Sequence, residues 1–249
     1  MVSFSKAKVG RLNTLNKGRR MRTIAVIPAR GGSKGVPKKN IKELAGYPLI
    51  CYSINTAMQI FGRVYVSTDC SEIAKVARAY GAKIINRPSE LASDTATDFD
   101  WLSHAFREVE CENIAIFRPT TPLRCASTVV EGIARFEKME CTSMRSAHEA
   151  PESPLKWFSL FGEHWLMNMN ADKPRQSLPT LFIPNGYLDI TKRKTIEKGS
   201  AFGNDILSFK TEPVVEVDTQ EEFDYLEYII RRNHEERIGL AVMPNLSNS

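Results

Sequence analysis

At 249 residues, with 42% hydrophobic and 25% charged side chains, the chain has the composition of one large globular domain and not of a disordered or fibrous protein. Its formal charge is +5, but residues 1–20 hold six lysines and arginines and no acid, which leaves 28 basic and 29 acidic side chains elsewhere. Because the excess charge lies in this leader, we expect no nucleic-acid surface on the folded body.

Residues 1–21 form a basic leader without a convincing apolar helical face, and we favour a disordered extension over the alternative of a transit peptide. Neither a run of about 18 apolar residues nor the apolar segment of a secretory signal occurs, so a soluble, cytoplasmic protein without membrane contact is expected. The five cysteines never form C-x-x-C and the four histidines lack ligand spacing, which favours reduced structural thiols over a metal site.

Strand and helix patterns alternate along the first half of the chain. Residues 23–28 are a continuous apolar run, typical of a buried parallel strand. The patterns after it predict, in order, a helix over 49–60, a strand over 63–69, a helix over 71–80 with Ser71 as N-cap, a strand over 82–87, a helix over 94–110 and a strand over 113–119. This order predicts an α/β fold, doubly wound around a mostly parallel sheet with right-handed crossovers.

The alternation stops near residue 143. A segment of about 143–190 is rich in prolines and aromatic residues, and we interpret it as a small insertion that either packs on a partner subunit or caps the chain's own active site. Residues 214–219 are expected to return to strand. A final amphipathic helix over 220–239 is expected to turn four side chains inward, namely Phe223, Leu226, Ile229 and Ile230. A single domain over 22–240 with a tail over 241–249 follows.

A glycine-rich turn over residues 29–40, ARGGSKGVPKKN, follows the first strand, where open parallel sheets usually bind ligands. Its three glycines let backbone N–H groups turn toward an anion, and Arg30, Lys34, Lys38 and Lys39 add positive charge. The spacing is neither G-x-G-x-x-G nor G-x-x-x-x-G-K-[ST], which argues against a dinucleotide oxidoreductase and a P-loop ATPase. A triphosphate is the expected ligand, and a solvated surface turn is the alternative.

The string IPARGGSKGVPKKNI, residues 27–41, resembles the signature of the acylneuraminate cytidylyltransferase family, whose members make CMP-sialic acid and its relatives. Three further blocks stand in the family's order: NRPSELASDTATD at 86–98, RPTTPLR at 118–124 and PRQSLPTLFIPNG at 174–186. Together with VEVDT near the end, the resemblance covers residues 22 to about 232. It implies a nucleotidyltransferase-like Rossmann architecture.

The resemblance also implies roles for single residues on the nucleotide side. The triphosphate of CTP would be held by Arg30, Ser33, Lys34 and Lys39, with Asn40 close to the nucleotide. Cytosine would be selected by Arg87, Ala96 and Asp98, for which ordinary helix N-capping is the alternative reading of the acid. Negative charge that develops during transfer would be stabilised by Arg30, Lys34 and Lys39, and Asp218 would be the fourth catalytic residue, through the metal that it binds.

Metal and sugar contacts are implied in the same way. Asp218 matches a Mg²⁺-binding carboxylate of the family. Its partner position holds Glu216, whose side chain is longer than that of the usual Asp and would face the same side of a strand, a geometry that permits joint coordination. Lys156 and Arg175 match basic positions that hold the carboxylate of an acidic sugar, with exposed charge on an insertion as the alternative. Asn185 matches the Asn of the family's PNG.

Three positions on the sugar side depart from the family's pattern, because Arg118, Ile183 and Asp189 stand where Gln, Arg and Tyr are usual. We therefore expect that the nucleotide chemistry is kept and that the sugar differs from N-acetylneuraminate, with Arg118 and Asp189 either pairing or reading another substituent. The expected reaction is CMP transfer from CTP to a 3-deoxy-2-ulosonic acid by a homodimer. The alternatives are a nucleotidyltransferase for a Kdo-like acid or a sugar 1-phosphate, and a catalytically idle nucleotide-binding module.

Overall fold

The structure, a computed structural model, describes residues 23–167, 170 and 172–232. Its strands are β1 (Thr23–Pro28), β2 (Glu43–Leu44), β3 (Tyr47–Pro48), β4 (Val64–Thr68), β5 (Lys83–Asn86), β6 (Asn113–Ile116), β7 (Ser143–Glu149), β8 (Phe158–Phe161), β9 (His164–Met167), β10 (Phe182–Lys192) and β11 (Ile206–Lys210). Its α-helices are α1 (Leu49–Ile60), α2 (Ser71–Ala79), α3 (Asp98–Glu108), α4 (Ala126–Lys138), α5 (Arg193–Glu197) and α6 (Gln220–Arg232).

Seven strands form the central sheet, in the order β11-β7-β10-β6-β1-β4-β5. Strand β10 runs antiparallel to both of its neighbours, and every other pairing in the sheet is parallel. The chain leaves β1 toward β4 on one side and later returns to β6 on the other side, which makes the carboxyl ends of β1 and β6 the topological switch point. The predicted α/β class with a mostly parallel sheet is confirmed.

Helices cover both faces of the sheet, as a doubly wound fold requires. One face packs against α1, α2 and α4 through a large apolar cluster, and the other face packs against α3 and α5 around Trp101, Leu102 and Phe106. A third cluster joins the region after β1 to the last helix through Val36, Leu44, Phe223 and Leu226. No helix in the described ranges combines the length and apolar character needed to cross a bilayer.

The predicted N-cap of α2 and the predicted start of α3 were wrong. Cys70 occupies the N-cap position of α2 without a side-chain bond, so that Ser71 is the first helical residue and not the cap. Helix α3 begins at Asp98 because Thr97 and Asp100 form a capping box: the Thr97 hydroxyl accepts from Asp100 N, and the Asp100 carboxylate accepts from Thr97 N at 2.7 Å. Residues 94–97 therefore belong to the loop that precedes α3.

The strand predicted over 214–219 was wrong. Pro213 cannot donate to a ladder, and the residues after it do not join the sheet. Val217 is instead fully buried beside Phe223, and its backbone N–H donates to Thr120 O at 2.8 Å. Helix α6 follows as predicted to Arg232, and the remaining predicted part, 233–239, lies outside the described residues, as do the leader 1–21 and the tail 241–249.

Both ends of the segment 143–190 belong to the central sheet, because β7 and β10 pair with each other there. Residues 150–181 lie between these strands and contain the separate β8–β9 hairpin. We call residues 157–167 the apolar hairpin. Its large apolar side chains are more than half exposed: Trp157, Phe158, Leu160, Phe161, Trp165, Leu166 and Met167.

Candidate active site

A cavity of about 560 Å³ opens at the carboxyl ends of β1 and β6. Its walls are the glycine-rich turn, the loop before α3, the residues after β6 and one acid before α6. Ten of the fifteen residues that the sequence motifs single out line it: Arg30, Ser33, Lys34, Lys39, Asn40, Arg87, Ala96, Asp98, Arg118 and Asp218. Motifs that are far apart in the sequence are therefore brought to one place at the switch point of the sheet.

The glycine-rich turn is held by one hydrogen bond within it and by one to a residue that follows β4. The buried amide of Asn40 donates to Arg30 O at 2.9 Å, and Gly31 N donates to Asp69 Oδ1 at 2.9 Å. Gly35 has no room for a side chain, since a Cβ there would lie 2.0 Å from Asp218 O. This close approach places the turn directly against the chain segment that carries Asp218.

Lys39 connects the turn to that segment. Its Nζ donates to Asp218 Oδ1 at 2.9 Å and to Val217 O at 2.7 Å, and its side chain is only 12% exposed. The neighbouring Lys38 points elsewhere and pairs with Glu72 at 2.8 Å. Of these two adjacent lysines, Lys39 is therefore the one that presents its charge to the cavity.

Two other cations of the turn contact an acid across the cavity mouth. Arg30 Nη1 lies 3.0 Å from Asp94 Oδ1, and Lys34 Nζ lies 2.6 Å from Asp94 Oδ2. Arg30 Nη1 also donates to Ser93 O at 2.8 Å. The hydrogen bond from Lys34, with the charges of both cations, holds the pKa of Asp94 below its usual value, so this carboxylate is ionised at neutral pH.

Arg87 also forms part of the cavity wall. It is buried, its Nε and Nη2 donate to Ser67 Oγ at 3.0 Å and Ser67 O at 2.7 Å, and its guanidinium lies 5.6 Å from the centroid of the Trp101 ring. Burial lowers the pKa of Arg87 to about 10, which leaves it charged at neutral pH. Ala96 stands nearby in the loop before α3. Arg87 is thus a rigid wall element.

Asp98 is engaged by Arg118. The Arg118 Nη2 atom lies 2.6 Å from Asp98 Oδ2, while Asp98 Oδ1 accepts from Trp101 Nε1 at 2.9 Å. Burial raises the pKa of Asp98, but the hydrogen bonds and charge of Arg118 outweigh it and the net pKa is lowered. Burial likewise lowers the pKa of Arg118, and Asp98 reverses this so that its net pKa is raised.

The arginine also reaches Asp189, which is 1% exposed and lies 3.5 Å away. Sequence reasoning missed a fourth member of this charged group. Arg145 of β7 stands opposite Asp189 of β10 in the ladder, and its Nη2 lies 3.6 Å from Asp189 Oδ2. The signal in the sequence was a basic residue between Met144 and Ser146, but its partner depends on the register of β7 with β10.

Arg124, the last residue of the RPTTPLR block, is a second missed residue. It is 1% exposed and donates to Tyr187 O at 2.6 Å, to Gly186 O at 3.0 Å and to Arg118 O at 2.8 Å. Burial lowers its pKa to about 9. Because these bonds tie the loop after β6 to β10, Arg124 positions the backbone of Arg118.

Five residues from the motifs do not line the cavity: Lys156, Arg175, Asn185, Asp189 and Glu216. Lys156 donates to Lys173 O at 2.8 Å, and Arg175 lines a separate cavity of about 340 Å³ within residues 149–181. The buried Asn185 amide donates to Thr211 Oγ1 at 2.7 Å. Asp189 lies behind Arg118.

Glu216 is half-buried, and burial, followed by the charge of Asp218, raises its pKa. Such a shift shows that its negative charge is poorly compensated, which a cation nearby would relieve. Asp218, in contrast, is exposed at the cavity with one oxygen bound to Lys39. Within the described part of the chain, no three His, Cys, Asp or Glu side chains are grouped as a complete metal site. A metal here would need ligands from a bound phosphate or water.

The family model described as "Cytidylyltransferase" matches residues 24–123, which include three walls of the cavity. The N-acylneuraminate cytidylyltransferase of Escherichia coli O18:K1:H7 is 28% identical over 230 residues, 89% of this chain and 55% of that protein. N-acylneuraminate cytidylyltransferase A of Danio rerio is 35% identical over 223 residues, 86% of this chain and 51% of that protein. The chain spans about half the length of these relatives. The post-translational flagellin modification protein B of Campylobacter coli is 27% identical, over 85% of this chain and 96% of that protein.

Solved structures show the same fold. CMP:2-keto-3-deoxy-manno-octonic acid synthetase complexed with CTP superposes with a TM-score of 0.64 at 16% identity, covering 85% of this chain and 99% of that one. The 4-diphosphocytidyl-2C-methyl-D-erythritol synthase of Anaerococcus prevotii superposes with a TM-score of 0.60 at 12% identity, covering 85% and 97%. The family match and the sequence relatives confirm the resemblance to the acylneuraminate cytidylyltransferases that the motifs carry.

Proposed function

We propose that this protein transfers CMP from CTP to the anomeric hydroxyl of a 3-deoxy-2-ulosonic acid of the sialic-acid type, with release of pyrophosphate. The observation that carries the proposal is the lining of the cavity, which combines the cations Arg30, Lys34 and Lys39 with the hydrogen-bonded Arg87. A nucleoside triphosphate has the matching shape, with a charged tail and a flat base. The names of the sequence relatives support cytidine as the nucleoside.

The phosphate end supplies the electrostatic part of the chemistry. In the proposed step the sugar hydroxyl oxygen forms a bond to the α-phosphorus of CTP and gives up its proton to water. The bond from that phosphorus to the bridging oxygen breaks as pyrophosphate leaves with the electron pair. Negative charge grows on the α-phosphate oxygens and the leaving group. Lys39 is already held by Val217 O and Asp218, so it stabilises this charge with little reorganisation. Arg30 and Lys34 contribute in the same way, and Ser33 and Asn40 complete and support the turn.

The base end would distinguish cytosine by Arg87, the backbone around Ala96 and the carboxylate of Asp98. Asp98 already accepts from Arg118 and Trp101, and a carboxylate has about four acceptor sites, so it can also accept from an exocyclic amine. The fixed position of Asp98 supports this role, because the capping box formed by Thr97 and Asp100 sets where α3 begins.

For the metal we propose Mg²⁺ at Asp218. Bound there with the phosphates, the ion would supply charge neutralisation at the leaving group. The exposed carboxylate at the cavity supports Asp218 as its ligand, and the raised pKa of Glu216 supports a cation close enough to ease its charge.

For the sugar end we propose that Arg118, set by Asp98 and Asp189, reads a substituent that differs from those of N-acetylneuraminate, with Asn185 supporting the adjacent turn. Lys156 and Arg175 would bind the sugar carboxylate. Because both lie outside the cavity of their own chain, this role needs a second copy that brings the segment 150–181 over the site. The exposed apolar hairpin supports a homodimer.

The test is a turnover matrix of four nucleoside triphosphates against N-acetylneuraminate, other nonulosonates, a Kdo-like acid and a sugar 1-phosphate, read out as pyrophosphate release. We expect turnover with CTP and a nonulosonate other than N-acetylneuraminate, and loss of turnover when Mg²⁺ is chelated. Failure to bind CTP or to release pyrophosphate with any acceptor would refute the proposal. N-acetylneuraminate as the best acceptor by a wide margin would refute only the sugar assignment.

A further inference from the structure

The cations proposed to hold the triphosphate already hold a carboxylate. Each oxygen of Asp94 faces one cation of the glycine-rich turn, Arg30 at 3.0 Å and Lys34 at 2.6 Å. A phosphate group would bind in the same way, with one oxygen on each cation. Asp94 therefore stands in the place of a ligand anion.

The start of helix α3 does not depend on this contact. Helix α3 begins at Asp98, four residues after Asp94. Its N-terminus is already capped by Thr97 and Asp100. Asp94 is half-exposed, with 51% of its side chain open to solvent. An acid released from Arg30 and Lys34 would thus be hydrated by water, and the start of α3 would remain capped.

We propose that Asp94 is an internal competitor for the phosphate site, a residue that occupies Arg30 and Lys34 until a polyphosphate displaces it. The inference deepens the proposed function, since it concerns the same site. Ligands whose phosphates use these two cations must break both ion pairs, whereas ligands that do not reach them are unaffected. The acid therefore lowers the affinity for polyphosphates in general, and it returns to the cations when pyrophosphate leaves, which favours product release.

Displacement also affects the base end of the cavity. Asp94 precedes Ala96 by two residues and Asp98 by four, all in the cavity wall. The Asp94 carboxylate and Ser93 O both bind cations of the glycine-rich turn, and these contacts hold the loop before α3 against the turn. A polyphosphate that displaces Asp94 breaks one of these contacts. Phosphate binding is thereby linked to the position of the loop that would contact cytosine.

The experiment is calorimetric titration of the full-length protein and of Asp94→Asn with inorganic tripolyphosphate, CTP and cytidine. Two exposed ion pairs of ordinary strength correspond to about five-fold tighter binding of tripolyphosphate and CTP by Asp94→Asn, with cytidine unchanged. The matched control is Glu72→Gln, which removes the same charge from the ion pair with Lys38 outside the cavity and should change binding by less than about two-fold.

Each outcome decides between the two proposals. Tripolyphosphate bound equally or more weakly by folded Asp94→Asn overturns the competitor, as does a failure of both proteins to bind it. Tripolyphosphate bound only by the variant supports it. If the wild type binds tripolyphosphate but not CTP, the proposed function fails and the effect of Asp94 on tripolyphosphate still tests the inference.

Discussion

Lys39 and Asp218 are 179 positions apart in the chain, and their side chains are joined by a 2.9 Å hydrogen bond. The bond connects the turn after the first strand to the segment before the last helix, and it leaves the lysine at the cavity with its orientation already set. Preorganised cations of this kind are the groups that stabilise developing charge most effectively. The adjacent Lys38, bound to Glu72, offers a natural comparison.

Replacing Lys39 by Ala should reduce kcat/KM for CTP-dependent pyrophosphate release by about 100-fold, in line with the loss of one preorganised donor in other enzymes. Lys38→Ala removes the same charge one position earlier, outside the cavity, and should stay within about three-fold of the wild type. Steady-state kinetics on both variants make the comparison. Equal effects would show that the turn acts only through its total charge.

Gly35→Ala should destabilise the fold, because the added Cβ would meet Asp218 O at 2.0 Å. We expect a free energy of unfolding lower by about 1–3 kcal/mol, as for other overpacked positions. Gly32→Ala has open space around its Cβ, and its change should stay within about 0.5 kcal/mol. Urea denaturation of both variants gives the two values. Similar midpoints would mean that the close approach of the turn to Asp218 is not maintained in solution.

Asp98→Asn should reveal a pH-dependent contribution of the ion pair with Arg118. The folded-state pKa of Asp98 lies below its ordinary value of 3.8, so the ionised carboxylate stabilises the fold above that value, and this stability is lost as the pH falls through the folded-state pKa. We expect wild type and variant to differ by about 1–3 kcal/mol at neutral pH. The difference should shrink below about pH 4.

Urea denaturation from neutral to acidic pH measures this difference. Asp172→Asn, at an exposed position in the segment between β9 and β10, is the control and should show no comparable dependence. A difference between wild type and Asp98→Asn that is constant across the whole range would contradict the ionic origin of the effect.

Charged substitutions on the apolar hairpin should dissociate the proposed homodimer. Leu160→Glu with Trp165→Glu places two acids among side chains that are 64% and 68% exposed in the single chain. Met139→Glu, also at an exposed apolar side chain but outside the hairpin, is the control. Sedimentation velocity should show dimer for the wild type and the control, and monomer for the double variant. A monomeric wild type would refute the dimer.

Sequence periodicity predicted the regular elements well because each has a local signal. Helix α1 has the predicted bounds, and β4 and β5 lie inside the predicted ranges. The strand predicted over 214–219 was wrong because β-branched residues favour burial as much as strand pairing. Val217 is buried in a loop.

The same limit applies to the site. The motifs predicted ten of the residues that line the cavity. The Asp189–Arg145 contact, in contrast, depends on β10 running antiparallel between β6 and β7, which no short motif encodes. Arg124 was inside a recognised block, yet its burial beneath Arg118 needed the fold to be seen. Interactions across strand registers are therefore the part that sequence reasoning could not supply.

The third apolar cluster limits how far the chain can be shortened. A fragment ending near residue 123 would contain the stretch that carries the family pattern, but Val36 and Leu44 would lose Phe223 and Leu226 as packing partners and become wetted. Its glycine-rich turn would also lack the carbonyl and carboxylate that orient Lys39. The smallest piece that keeps the cavity formed therefore has to extend through α6.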